Sequence, residues 1–206
     1  MTKKAYLIHG WRPSSREDIA KIKNNNSSEI ENSGSSEGGW FNWLKQELSK
    51  KGFKVISFDM PNTNNPKIEQ WINFLECEIN PEDIDEETYF IGHSIGCQTI
   101  LRYLEKLHKH KRIAGCVFVA GWFDIINLEQ EELEIAHPWI NSKINFNRIK
   151  DHTDNFLAIF SNDDPYVPFE EQDKFKNNLG AKIKIKHNSG HFNEINKIPE
   201  ILEFLR

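Results

Sequence analysis
The chain reads as an α/β protein of about six mostly parallel strands with helices on both faces, and three observations carry that reading. Short apolar runs alternate along the chain with segments of helical period, the pattern of right-handed strand–helix–strand crossovers. One run, Ile113 to Ala120, is apolar without a break, as a strand covered on both faces requires. Another, Tyr89-Phe90-Ile91, ends in Gly92-His93-Ser94-Ile95-Gly96 and passes at once into a helical pattern. With 206 residues and no internal repeat, a single domain over 1–206 is expected around one core.

In order, the first strand runs from Lys4 to Ile8 and ends in His9-Gly10-Trp11. Residues 12–39 form a long polar insertion with a short helical pattern over 15–23, followed by Asn24-Asn25-Asn26-Ser27-Ser28 and Ser33-Gly34-Ser35-Ser36. Such a stretch buries too little to fold alone, so a mobile flap is expected over 24–38. Gly39 to Leu48 has helical spacing and stops before Gly52. The second strand spans Lys54 to Phe58, and Asp59 to Pro66 is rich in turn residues. A helix follows over about Lys67 to Ile79, with Ile68, Trp71, Ile72 and Leu75 on one stripe. The third strand delivers Ser94. The helix behind it is expected to run to about His110, with Ile100, Leu101, Leu104 and Leu107 inward and the basic cluster Lys106 to Arg112 as its solvated end. The fourth strand is the run at 113–120, the fifth is Asn155 to Phe160, and the sixth is Ala181 to Lys186. Its alternation of Ile with Lys marks an edge strand.

The net charge of −5, with pI near 5.9, argues against a nucleic-acid or anionic-membrane partner. No apolar run approaches the roughly 20 residues of a spanning helix, and Met1-Thr2-Lys3-Lys4 does not lead into a signal-peptide core, so a cytoplasmic protein is expected. Cys77, Cys97 and Cys116 lack Cys-x-x-Cys spacing and are expected as reduced core thiols, with neither metal nor organic cofactor implied.

Three groups fall directly after strand ends: Ser94 after the third, Asp163-Asp164 after the fifth, and His191 after the sixth. Gly-x-Ser-x-Gly between strand and helix is the pattern of a nucleophile elbow, in which Gly92 and Gly96 let a strained turn close and the serine stands at a helix head. A serine hydroxyl needs an imidazole to take its proton, and a carboxylate on the far nitrogen fixes that imidazole's tautomer. His191, after Ser189-Gly190, is the expected base, ahead of His187, while His93 is expected to position the turn. One of Asp163 and Asp164 caps the turn before Pro165 and the other orients the base, with Asp124 a minor rival.

Gly92-His93-Ser94-Ile95-Gly96, Asp163-Asp164-Pro165-Tyr166-Val167-Pro168 and Ser189-Gly190-His191-Phe192 together resemble the small serine hydrolases of α/β-hydrolase type, typified by retinoblastoma-binding protein nine and the bacterial YdeN-like esterases. Met60-Pro61, Trp71, Pro138-Trp139, Ile149-Lys150 and Phe169-Glu170-Glu171-Gln172 extend the likeness over nearly the whole chain. The resemblance implies a reduced α/β-hydrolase fold without a large cap. It selects Asp164 as the acid, three residues before the Val of Asp-x-x-Val-Pro. In two respects the chain departs from the family: the insertion at 12–39 is long, and Leu75-Glu76-Cys77-Glu78 is followed by Ile79 where a Leu-x-Cys-x-Glu motif has Glu, so no protein partner is carried over.

In that geometry one oxyanion donor is the N–H of Ile95 and the other lies in the loop after the first strand, at Gly10-Trp11, with Trp11 the choice. Trp11, Trp40 and Trp122 either wall an apolar acyl pocket or fill core. The expected activity is hydrolysis of small or medium acyl esters by Ser94, Asp164 and His191 through an acyl-enzyme. Thioesters and amides use the same machinery, and the alternative is a protein-binding module that keeps the fold with little turnover.

Overall fold
The computed structural model describes residues 2–11 and 39–205. The helix expected over 15–23 and the flap expected over 24–38 lie outside the described residues. Six strands, β1 Lys4–Ile8, β2 Lys54–Phe58, β3 Thr88–His93, β4 Gly115–Val119, β5 Phe156–Ser161 and β6 Lys182–Lys186, form one sheet in the order β2-β1-β3-β4-β5-β6. Every neighbouring pair is parallel, with Ile8 opposite both Phe58 and Gly92 and His93 opposite Val119. The six expected strands are present within two residues of their expected ends, and β6 is the edge the Lys-Ile alternation foretells.

Among the described residues the α-helices are α1 Gly39–Lys50, α2 Ile68–Glu78, α3 Ile95–Lys106, α4 Gln130–Asn141, α5 Phe146–Lys150, α6 Glu171–Leu179 and α7 Pro199–Phe204. Alternation along β3 shows how they divide. Phe90 points to one face, where its ring lies 5.2 Å from Tyr6 and 5.7 Å from Tyr103 of α3, and Phe118 meets Phe175 of α6 on that side. Tyr89 points to the other, towards Phe53 after α1 and Phe204 of α7. With both faces covered, β3, β4 and β5 are buried along their whole length, which is why their sequences are apolar runs. Full burial of each large side chain there stabilises the fold by about 1.5–3 kcal/mol.

Two expectations are corrected. Helix α3 ends at Lys106, not His110: Arg148, on α5, donates to the carbonyls of Leu107 (2.9 Å) and Glu105 (3.5 Å), closing the helix with a group 41 residues away in sequence. Cys97 and Cys116 are buried free thiols, but Cys77 is exposed on α2, off the stripe of Trp71, Ile72 and Leu75.

The chain leaves β1 for β2 in one direction across the sheet and reaches β3 in the other, so the strand order reverses between β1 and β3. The carboxyl ends of these strands bear Gly10 and Ser94, and a crevice at such a reversal is where open α/β sheets bind ligands.

Candidate active site
Ser94 joins β3 to α3 with φ 52° and ψ −124°, a left-handed conformation that only a well-supported turn holds in a residue with a side chain. Its support is visible. The Ser94 N–H donates to Val119 O at 2.9 Å, and the Cys97 N–H to Ser94 O at 3.0 Å. A Cβ on Gly96 would stand 2.4 Å from Ile8 O and 2.6 Å from His9 O, and one on Gly92 would stand 2.8 Å from Cys97 N, so both glycines are sterically required. The head of α3 thereby presses onto the end of β1. Among the described residues the Ile95 N–H has no acceptor, as expected of a first-turn amide.

His191 and Asp164 meet across the β5 and β6 loops. His191 Nδ1 lies 2.8 Å from one Asp164 oxygen and 3.1 Å from the other, so Nδ1 is the nitrogen that donates to the carboxylate and Nε2 faces away from it. Asp164 is held in turn by the N–H groups of Tyr166 (2.9 Å) and Val167 (3.0 Å). Asp163 has separate work: it accepts from the Ser161 hydroxyl and from the N–H groups of Ser189 (3.0 Å) and Gly190 (3.1 Å), tying the histidine loop to β5. Those bonds, the Ser161 hydroxyl first, hold its carboxyl below the usual carboxylate range. From the other side, His93 Nε2 reaches the carbonyl of His191 at 2.8 Å. Burial, reinforced by the neighbouring His191, pushes His93 down to about 3, so it is neutral and donates that bond from Nε2.

The loop after β1 is equally constrained. His9 Nε2 accepts from the Met60 N–H (3.0 Å), which puts the ring proton on Nδ1, donated to Gly10 O at 2.7 Å. With the Gly10 carbonyl turned towards His9, the trans peptide aims the Trp11 N–H the opposite way. Three indoles pin the loop after β2: Trp11 to Asn64 O (3.3 Å), Trp71 to Pro61 O (2.7 Å) and Trp139 to Pro66 O (3.0 Å).

Residues 32–202 match the serine hydrolase family. The chain belongs to that family. It is 28% identical over 194 residues to the YdeN hydrolase of Bacillus subtilis, covering 94% of this chain and 88% of that one. It is 27% identical over 157 residues to the serine hydrolase RBBP9 of Rattus norvegicus, covering 75% and 78%. Its fold superposes on the crystal structure of the B. subtilis ydeN gene product with a TM-score of 0.80 at 26% identity, over 99% of this chain and 97% of that one.

Within this serine hydrolase the structure brings Asp164 onto His191 and sets the His191 ring 5.0 Å from that of His93, the residue before Ser94. Among the described residues the Ser94 hydroxyl is bonded to Trp122 Nε1 at 3.3 Å and not to the His191 ring. Of the rivals, Asp124 pairs with Lys174 (2.8 Å), and His187, the alternative base, is exposed, while Asp164 bonds to His191. Trp40 and Trp122 are core, while Trp11 is partly exposed. The bonds of Trp122 to Ser94, of Asp163 to the Ser189 amide and of Glu171 to the Asp124 amide escape a reading of the sequence because each joins residues 26 or more positions apart.

Proposed function
We propose that this serine hydrolase cleaves small or medium carboxylic esters through an acyl-enzyme. The observation that carries the reading is the two-pronged contact of Asp164 with His191 Nδ1, which leaves Nε2 as base on the loop beside the strained serine. Ser94 Oγ attacks the carbonyl as its proton passes to His191 Nε2, and the resulting imidazolium lies against the Asp164 carboxylate. The oxyanion is received by the N–H of Ile95, at the positive end of α3, and by the N–H of Trp11 in the Gly10-Trp11 loop. His191 then returns the proton to the leaving alkoxide, and water repeats the sequence on the acyl-enzyme.

An apolar lip supports an uncharged substrate. Tyr166 packs edge-on to His191 at 5.4 Å, and its carbonyl accepts from the Ile126 N–H at 2.8 Å; both side chains are exposed. An alkyl or aryl group leaving next to His191 would rest there.

Labelling by a fluorophosphonate probe and turnover of a p-nitrophenyl ester series test the reading. Wild-type protein should be labelled and should cleave short and medium esters faster than matched thioesters or amides. Ser94→Ala should fold, lose labelling and lose nearly all turnover. An intact wild type that neither labels nor turns over would instead favour a binding module.

A further inference from the structure
Trp122 is fully buried, and its indole N–H points at the one atom on which the proposed chemistry turns, Ser94 Oγ, at 3.3 Å. The loop that carries it is built to hold it still. Ala120 has φ 47°, a left-handed conformation unusual for alanine, with its N–H bonded to Ile159 O at 2.9 Å. Just beyond the indole, the Phe123 and Asp124 N–H groups donate to the buried carboxylate of Glu171 at 2.6 and 3.2 Å, and Lys174 bridges Glu171 and Asp124. A buried carboxylate engaged by two amides and an ammonium is a stiff clamp.

We propose that Trp122 is a further catalytic residue, which polarises the nucleophile and stabilises negative charge on Ser94 Oγ; this rests on the reading of Ser94 as nucleophile. An indole N–H is a donor and never an acceptor. Its presence therefore dedicates a lone pair of Oγ to the ring and leaves the hydroxyl proton available to His191 Nε2 once the two meet in the proposed attack. During attack the Oγ–H bond breaks towards His191, the Oγ–C bond forms, and the carbonyl electron pair moves to the substrate oxygen. The indole keeps its proton throughout. In deacylation the C–Oγ bond breaks, charge returns to Oγ beside the same N–H, and His191 reprotonates it. The donor thus meets developing charge in both half-reactions, in a buried setting where such a bond is strong.

Replacing Trp122 by 3-benzothienylalanine tests this, because sulfur takes the place of N–H while the bicyclic volume is kept; Trp122→Phe is the simpler companion. The isostere should retain the wild-type thermal midpoint and ester KM. Its kcat and its fluorophosphonate labelling rate should fall about ten- to a hundredfold, comparable with or below the loss of one oxyanion donor. Since the indole does not titrate, the loss should be the same at every pH, with the inflection of the rate profile unmoved. Wild-type labelling by the isostere would overturn the proposal while leaving Ser94 as nucleophile. Labelling of Ser94→Ala would overturn both readings.

Discussion
Adjacent aspartates do different things in this protein, and the difference is one of partners. Asp164 faces the imidazole, whereas Asp163 holds the backbone of the loop from which that imidazole hangs. Asp164→Asn should lower kcat by about a thousand- to ten-thousandfold, because an amide there favours the wrong histidine tautomer. Asp163→Asn keeps an acceptor oxygen for the Ser189 and Gly190 amides and should cost no more than about tenfold. Steady-state kinetics of the two variants on one ester decide it, and the reverse ranking would mean that the loop tether matters more than the tautomer. On the residues alone either aspartate could have been the acid, since both precede Pro165 and both suit a turn. What separates them is the direction each side chain takes towards residues 25 or more positions away, which local pattern does not encode.

At the scale of elements, the elbow depends on how closely α3 can approach β1. A methyl group at position 96 would stand 2.4 Å from a carbonyl oxygen of a strand that is itself paired on both sides, so neither partner can yield cheaply. Gly96→Ala should therefore destabilise the protein by about 3 kcal/mol, the upper range of overpacking, measured as a lowered urea midpoint. A wild-type midpoint would show that the helix can shift without cost. This element was legible because glycine spacing, a preceding apolar run and a following helical period all agree. The end of the same helix was not legible: His108 to Lys111 could continue a helix by composition, and Arg148 from a distant helix closes it. Helix α4 was equally hidden, since Pro138 stands inside it and its start rests on a capping box between Glu129 and Glu132, charged residues that also read as loop.

For the molecule as a whole, the proposed site draws on the carboxyl ends of five strands. Gly10 and Trp11 follow β1, Ser94 follows β3, Trp122 follows β4, the aspartates follow β5 and His191 follows β6. That plan was readable from strand order and motif order together; the interlocking of its loops was not. Part of the interlock responds to acid. His93, pushed from 6.5 in the unfolded chain down to about 3, stays neutral in the fold while unfolded chains take up a proton. Its contribution is complete above about pH 6.5 and is lost as pH falls towards 3, at up to about 1.4 kcal/mol per pH unit. Thermal or urea unfolding at pH 7 and pH 4.5 should show a smaller acid penalty for His93→Gln, whose amide can still donate to the His191 carbonyl, than for wild type. Parallel pH dependence in the two proteins would remove His93 as a source of acid sensitivity.

His191 hangs from β6, a strand bonded to one neighbour only and bearing three lysines, two of them exposed to water. Outer strands open at lower free energy than the centre of a sheet. The proposed base is therefore mounted on the outer margin of the sheet while the proposed nucleophile sits at its middle, and the loop that carries the base is tied back by Ser161, Asp163, Asp164 and His93. If that margin opens before the rest of the sheet, turnover should be lost at a lower urea midpoint than the fold itself.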